Sequence, residues 1–158
     1  VKAELLAVDL TVADHAGRLV TMDPTGTPTA ITIPAINANA DGASAGPGSD
    51  PNNANTIGTT FEILFIDNFT GTIKTADTAD KFVGAATVGI DASVAGKQFV
   101  AATGDNEVNL NGEAGASNAT TGGLKGSRIK FTAIAANLYA VEGQLLGNGS
   151  IATPFDAQ

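Results

Sequence analysis

The sequence predicts an all-β domain: a β-sandwich, or a jelly-roll or barrel-like relative of one, with long polar loops. Three observations lead there. Short runs rich in Ile, Val, Phe and Thr recur at close spacing, and several alternate apolar with polar residues as a half-buried strand must. Gly, Pro, Asn and Asp cluster between those runs as turn formers. No stretch longer than a turn or two carries the period of an amphipathic helix.

Residues 1–8 read as an N-terminal arm or first strand, and residues 9–158 as a single β domain. Thr11 followed by Asp14 caps one helical turn, which Gly17 stops. Arg18 to Met22 is a strand. Asp23 to Pro28 is a turn that leads into Ala30 to Ile33, so the two runs are expected to pair as a hairpin ended by Pro34. Residues 37–58 are almost entirely Asn, Ala, Gly, Ser, Asp and Pro, with little to bury, and are expected to form an exposed loop insertion. Phe61 to Ile66 is apolar on both faces except for Glu62, as in a strand covered on two sides. Shorter strands are expected at 72–75, 81–90, 97–103 and 107–111, with Asn111-Gly112 as a hairpin dipeptide. A helix around Ser93 to Gln98 is opposed by Gly96. Arg128 to Ile134 alternates, Ala136-Asn137 turns, and Leu138 to Leu146 returns.

Composition limits function. The chain has 158 residues, one domain's worth, and a net charge of −8. With a pI near 4.3 it is a poor match for nucleic acid or for an anionic membrane. No run approaches the roughly 18 apolar residues of a membrane helix, and the stretch from Val1 to Leu6 lacks the long apolar core of a signal peptide. Cys is absent and His occurs once, which removes thiolate zinc sites, cysteine nucleophiles and histidine clusters. Hydrophobic residues make up 43% but aromatics only 5%, so large core side chains are few, and further stabilisation is expected from an assembly partner.

No motif builds a convincing active site, and neither enzymatic activity nor a cofactor is expected. His15 is the single candidate base, placed at a surface or turn position. Gly42-Ala43-Ser44-Ala45-Gly46 has the letters of a nucleophile elbow but lies in a Gly/Ala loop. The carboxylate pairs Asp77/Asp80 and Asp105/Glu107 sit among turn residues without a Trp or Tyr nearby to stack a sugar. Glu107, Asn109, Asn111 and Gly112 have the spacing of an EF-hand start, which is also that of an alternating strand, and Asn118 stands where the bidentate Glu belongs. A calcium site of another kind, built from Asp77, Asp80 or Asp105, stays open. The sequons at Asn68, Asn118 and Asn148 matter only in a secretory pathway. Thr121 to Ser127 fails the phosphate-loop pattern because Gly126 separates Lys125 from Ser127.

The C-terminal half carries recognisable sequence. Thr120-Thr121-Gly122-Gly123-Leu124-Lys125-Gly126 precedes an alternating strand. Val141-Glu142-Gly143-Gln144-Leu145-Leu146-Gly147-Asn148-Gly149-Ser150 and Ala152-Thr153-Pro154-Phe155 follow. With Leu10 to Arg18, Ile31 to Pro34 and Gly58-Thr59-Thr60-Phe61, these resemble small virion proteins of tailed bacteriophages, many from marine and environmental phages. Loop 37–58 is longer than in that group, and Asn148-Gly149 stands where Ser-Gly is commoner.

The resemblance implies a structural protein of the particle, in particular a capsid decoration or cement protein on the outer surface of the head. It also implies the major capsid protein and a homotrimer as partners, with neither nucleic acid nor membrane involved. A head-fibre or tail-fibre component that binds a receptor or carbohydrate is the alternative. Under the first reading the contact residues are expected at the termini: Val1, Lys2, Glu4, Leu5 and Leu6 in the arm, and Ile151, Pro154 and Phe155 in the tail. Edge-strand packing within the domain is the competing account of both segments.

Overall fold

In a computed structural model the chain is an all-β, sandwich-like single domain without a closed barrel. The structure describes residues 2–4, 9–24, 30–36, 55–89, 95–112 and 119–158, with backbone alone at 2–4. The strands are β1 (Lys2–Glu4), β2 (Leu19–Met22), β3 (Ala30–Ile33), β4 (Thr60–Phe65), β5 (Thr70–Thr75), β6 (Lys81–Gly89), β7 (Lys97–Val100), β8 (Glu107–Asn111), β9 (Arg128–Ala135), β10 (Leu138–Leu146) and β11 (Phe155–Asp156). One helical turn, α1 (Val12–His15), precedes β2. The Thr11 side chain caps it by accepting from the Asp14 N–H, and Gly17 follows at φ +67°.

Seven strands form one sheet in the order β1-β2-β4-β9-β10-β6-β7, and four form the other, β11-β8-β5-β3. Both sheets are mixed. β2 runs parallel to β4 in the first, and β3 runs parallel to β5 in the second. This follows from the chain path, since β2, β3, β4 and β5 alternate between the sheets. The expected hairpin between 18–22 and 30–33 is therefore corrected: the two strands lie in different sheets, and residues 25–29 of the turn are outside the described residues. Asn111-Gly112 is corrected for the same reason, because β8 and β9 belong to different sheets. Ala136-Asn137 does make a hairpin, joining antiparallel β9 and β10 with Asn137 at φ +57°.

The core lies between the sheets. Val20, Met22, Phe61, Ile63, Phe65, Ile129, Phe131, Tyr139 and Leu145 enter it from the larger sheet; Ile31, Ile33, Ile73, Val108 and Leu110 enter from the smaller. Phe65 and Phe69 stack with ring centroids 4.7 Å apart. The expectation that 61–66 is covered on both faces is overturned. Phe61, Ile63 and Phe65 are buried, but Glu62 and Leu64 on the opposite face are only half-buried and Ile66 is exposed. The strand has one core face, and the apolar character of the other comes from Leu64 and the exposed Ile66.

Segment 119–127 knits one end of the sandwich. The Asn111 N–H in the smaller sheet donates to the Gly122 carbonyl, and the Phe69 N–H donates to that of Gly123. The Leu124 N–H donates to the Leu146 carbonyl in the larger sheet. Three consecutive residues thus serve both layers.

Candidate interaction surface

The outer face of the seven-stranded sheet has no element over it among the described residues. Strand alternation places one residue in two on this face, and register lines them into rows. Glu62 on β4 stands opposite Lys130 on β9, which stands opposite Glu142 on β10. In the next row are Leu64, Arg128, Gln144 and Thr87. Arg128 pairs with Glu62 through Nε at 2.6 Å and also through Nη2, while Lys130 Nζ reaches Glu142 at 2.8 Å. Glu142 holds the Lys130 ammonium above the usual lysine pKa, chiefly by this hydrogen bond. Such exposed pairs contribute little to stability. Their consequence is that the charges at the centre of the face cancel. The twisted sheet leaves a shallow groove of about 480 Å³ here, lined by these charged residues with Thr87, Gln98 and Gln144. A second hollow, about 470 Å³, lies on the smaller sheet between Asp9, Thr32, Lys74 and Gln158.

The residues expected at an interface divide into two groups. Lys2 and Glu4 belong to β1, which pairs in parallel with β2 and has no other strand beside it among the described residues. Val1, Leu5 and Leu6 lie outside the described residues. The tail requires a correction. Ile151 and Phe155 are each only 6% exposed and belong to the chain's own core, and Pro154 is buried with them. The Pro154 carbonyl accepts from the Asn109 N–H at 2.7 Å, and Phe155 pairs with Val108. Apolar side chains consumed in this way are not available as docking anchors. The edge strands of the larger sheet among the described residues are β1 and β7, and on β7 Val100 is 70% exposed.

A buried polar knot was not visible in the sequence. It pins residues 34–36 and the end of the 37–58 segment to the core. Tyr139 OH donates to the Pro34 carbonyl at 2.7 Å. Asn55 Nδ2 donates to the Pro34 and Ala35 carbonyls and also meets Tyr139 OH, and the Ile36 N–H donates to Asp80 Oδ2 at 2.9 Å. Burial pushes the Tyr139 hydroxyl well above the usual tyrosine range. It also raises the Asp80 carboxyl; Asp77 adds to that, while the Ile36 N–H and Lys81 oppose it. Asn55 is fully buried, which corrects the reading of 37–58 as exposed throughout. Ile57 and Gly58 are exposed, and 37–54 lies outside the described residues.

Because folding raises the Asp80 pKa, its protonated form favours the folded state. That contribution is fully present below the unfolded value of 3.8 and is lost as pH rises through the folded value. Asp80→Asn keeps an acceptor for Ile36 and removes the charge. Its stability relative to the parent is expected to rise as pH climbs from 3.8 through the folded value and to level off above it, whereas Asp80→Ala strands the Ile36 N–H and costs about 1–3 kcal/mol. Chemical denaturation of the three proteins across pH checks both. A parent and Asp80→Asn difference independent of pH overturns the assignment.

The catalytic candidates do not converge. His15 sits at its turn but is buried, 4% exposed, and its Nδ1 accepts from the Thr11 N–H at 2.9 Å. Asp77 Oδ1 accepts from the Ala79 N–H, and Asp105 Oδ2 from the Ala102 N–H, so both serve as turn caps. Glu107 faces Lys74 across the β5–β8 pair. Among the described residues, no three His, Cys, Asp or Glu side chains gather as a metal ion would need. Ser44 and Asn118 are outside them. No helix among the described residues is long and apolar enough to cross a membrane. No family model matches the chain, and neither a curated protein nor a solved structure does.

Proposed function

We propose that the chain is a structural protein of a tailed-bacteriophage particle, a decoration or cement protein that binds the outside of the assembled head and stabilises it. Its partners under this reading are the major capsid protein and further copies of itself. The observation that carries the reading is where the phage-like motifs fall in the fold. Thr11, Asp14 and Gly17 build the capped turn, and Gly122 to Leu124 join the two sheets. Val141 to Leu146 is two thirds of the interior strand β10, and the Ile151 to Phe155 segment leads into β11 at the edge of the smaller sheet. The motifs are the residues that build the sandwich, so the resemblance is to a whole scaffold and not to one transferable loop. The edge of β1, which lies within the arm and pairs on one side alone among the described residues, supports the expected mode of attachment, since an unpaired strand edge accepts a strand from a neighbour.

Two experiments test this. Immunogold labelling of purified particles, with gel densitometry for copy number, is expected to place label over the whole head in many copies. Deleting residues 1–8 is expected to abolish head binding, and thermal unfolding of the same variant separates that loss from loss of the fold. Unchanged binding overturns the assignment of the arm. The fibre reading is favoured by one observation, the groove lined by Gln98, Gln144, Thr87 and Arg128, whose amides, hydroxyl and guanidinium suit sugar hydroxyls. Label confined to the tail or one vertex, together with hits on a glycan array, establishes that reading in place of the first.

A further inference from the structure

We infer that the outer face of the seven-stranded sheet is the surface on which a second copy of this chain packs. The inference rests on the self-association proposed above, gives it a two-fold interface in place of the homotrimer that the resemblance implies, and does not depend on where in a particle the protein sits. It begins from an unequal distribution of charge. The chain carries −8 overall, yet at the centre of this face Glu62 and Glu142 are cancelled by Arg128 and Lys130. Two copies therefore approach each other here with least repulsion. The signs also alternate along the register, Glu62, Lys130, Glu142, with Arg128 beside them. A two-fold axis lying in the interface, parallel to the strands and passing between β9 and β10, sets Lys130 of each copy over Glu142 of the other, so the pattern complements itself.

Apolar exposure falls on the same face. Val83, Val100, Ile134 and Leu146 are 43%, 70%, 42% and 40% exposed, and strand alternation puts all of them on the outer side. The extent is sufficient. Six strands at about 4.8 Å spacing span about 24 Å. Three rows at about 6.8 Å give that width an area of about 500 Å², and the five rows of β6 and β10 extend it toward the roughly 800 Å² per partner of a standard interface. Other occupants fit less well. A polyphosphate needs net positive charge, and a basic protein needs net negative charge. A glycan cleft gains most from aromatic platforms, but Phe82, Phe131 and Tyr139 all turn into the core.

The test is the mass of the isolated chain by sedimentation velocity and light scattering, from low to high micromolar concentration. The parent is expected at two or more chains per particle. Val83→Asp/Val100→Asp is expected to weaken association by about tenfold or more with thermal unfolding unchanged. Lys130→Glu is expected to do the same by lining up three acids, and the swap Lys130→Glu/Glu142→Lys is expected to restore association. A parent that stays monomeric throughout, or variants that associate as the parent does, overturns the inference. Neither result touches the particle-labelling experiment, so failure of the interface and failure of the virion reading are told apart.

Discussion

Gly123→Ala is expected to lower stability by about 3 kcal/mol or more, and the melting temperature by roughly 6–12 °C. Two costs add. Gly123 has φ +100°, where a side chain is strained. An added Cβ would also collide with the Phe69 carbonyl and come within 3.1 Å of Leu110 Cβ. That carbonyl accepts from the Gly112 N–H at 2.8 Å, so it cannot withdraw without breaking the contact between β8 and the turn before β5. Gly17 supplies the comparison. It too has positive φ, but nothing lies within 4 Å of its Cβ position. Gly17→Ala is expected to cost only the conformational part, about 1 kcal/mol. Equal losses for the two variants in thermal unfolding would show that the collision is relieved, and that segment 119–127 does not hold the sheets together.

Phe155→Ala is expected to destabilise the isolated chain by about 3 kcal/mol, the low end for a buried Phe because the site opens at a sheet edge. The ring lies in the common core with 6% exposure, on the two-residue strand β11. The ladder beyond it depends on its seating: the Asn106 N–H donates to the Asp156 carbonyl, and the Gln158 N–H to Asn106 Oδ1. The result also decides between two accounts of the tail. An anchor for a partner would leave the melting temperature of the free chain unmoved, whereas a core residue lowers it with no partner present.

The sequence is legible where a signal is local. The Thr11 cap and Gly17 stop, the alternation of 107–111 and 128–134, and the Ala136-Asn137 turn each depend on neighbouring residues, and each is found in place. Which strands pair is not a local property. Asp23-Pro24 followed by a turn-rich stretch suits a hairpin, but the apolar faces of 19–22 and 30–33 are satisfied by opposite layers of one core, and no dipeptide records that choice. Asn55 was missed for a related reason. It is one of many Asn in a polar segment, and only Tyr139, 84 positions away, marks it out. Among the candidate contact residues, Ile151 and Phe155 had the composition of anchors, and burial depends on whether the same chain supplies the facing wall. The charge-neutral face is readable only in register, since Glu62, Lys130 and Glu142 are scattered along the chain and become a row once β4, β9 and β10 are aligned.

The longest ladder in the molecule joins β6 to β10 in parallel from Lys81↔Leu138 to Leu146↔Gly89, with partners 57 positions apart. β4 similarly waits for β9, pairing Phe61 with Phe131. On a ribosome, β4 with its buried Phe61, Ile63 and Phe65, and one side of the β6–β10 ladder, emerge well before the strands that complete them. Closing such distant pairs is slow, and the interval exposes unpaired edges. A nascent chain halted before residue 128 has made Phe61, Ile63, Phe65 and Phe82 without the hairpin that covers them, and it is a substrate for chaperones or a seed for aggregation. Residues 128–158 act as the step that commits what is synthesised before them, so the yield of soluble protein depends on their arrival more than on the stability of the finished fold.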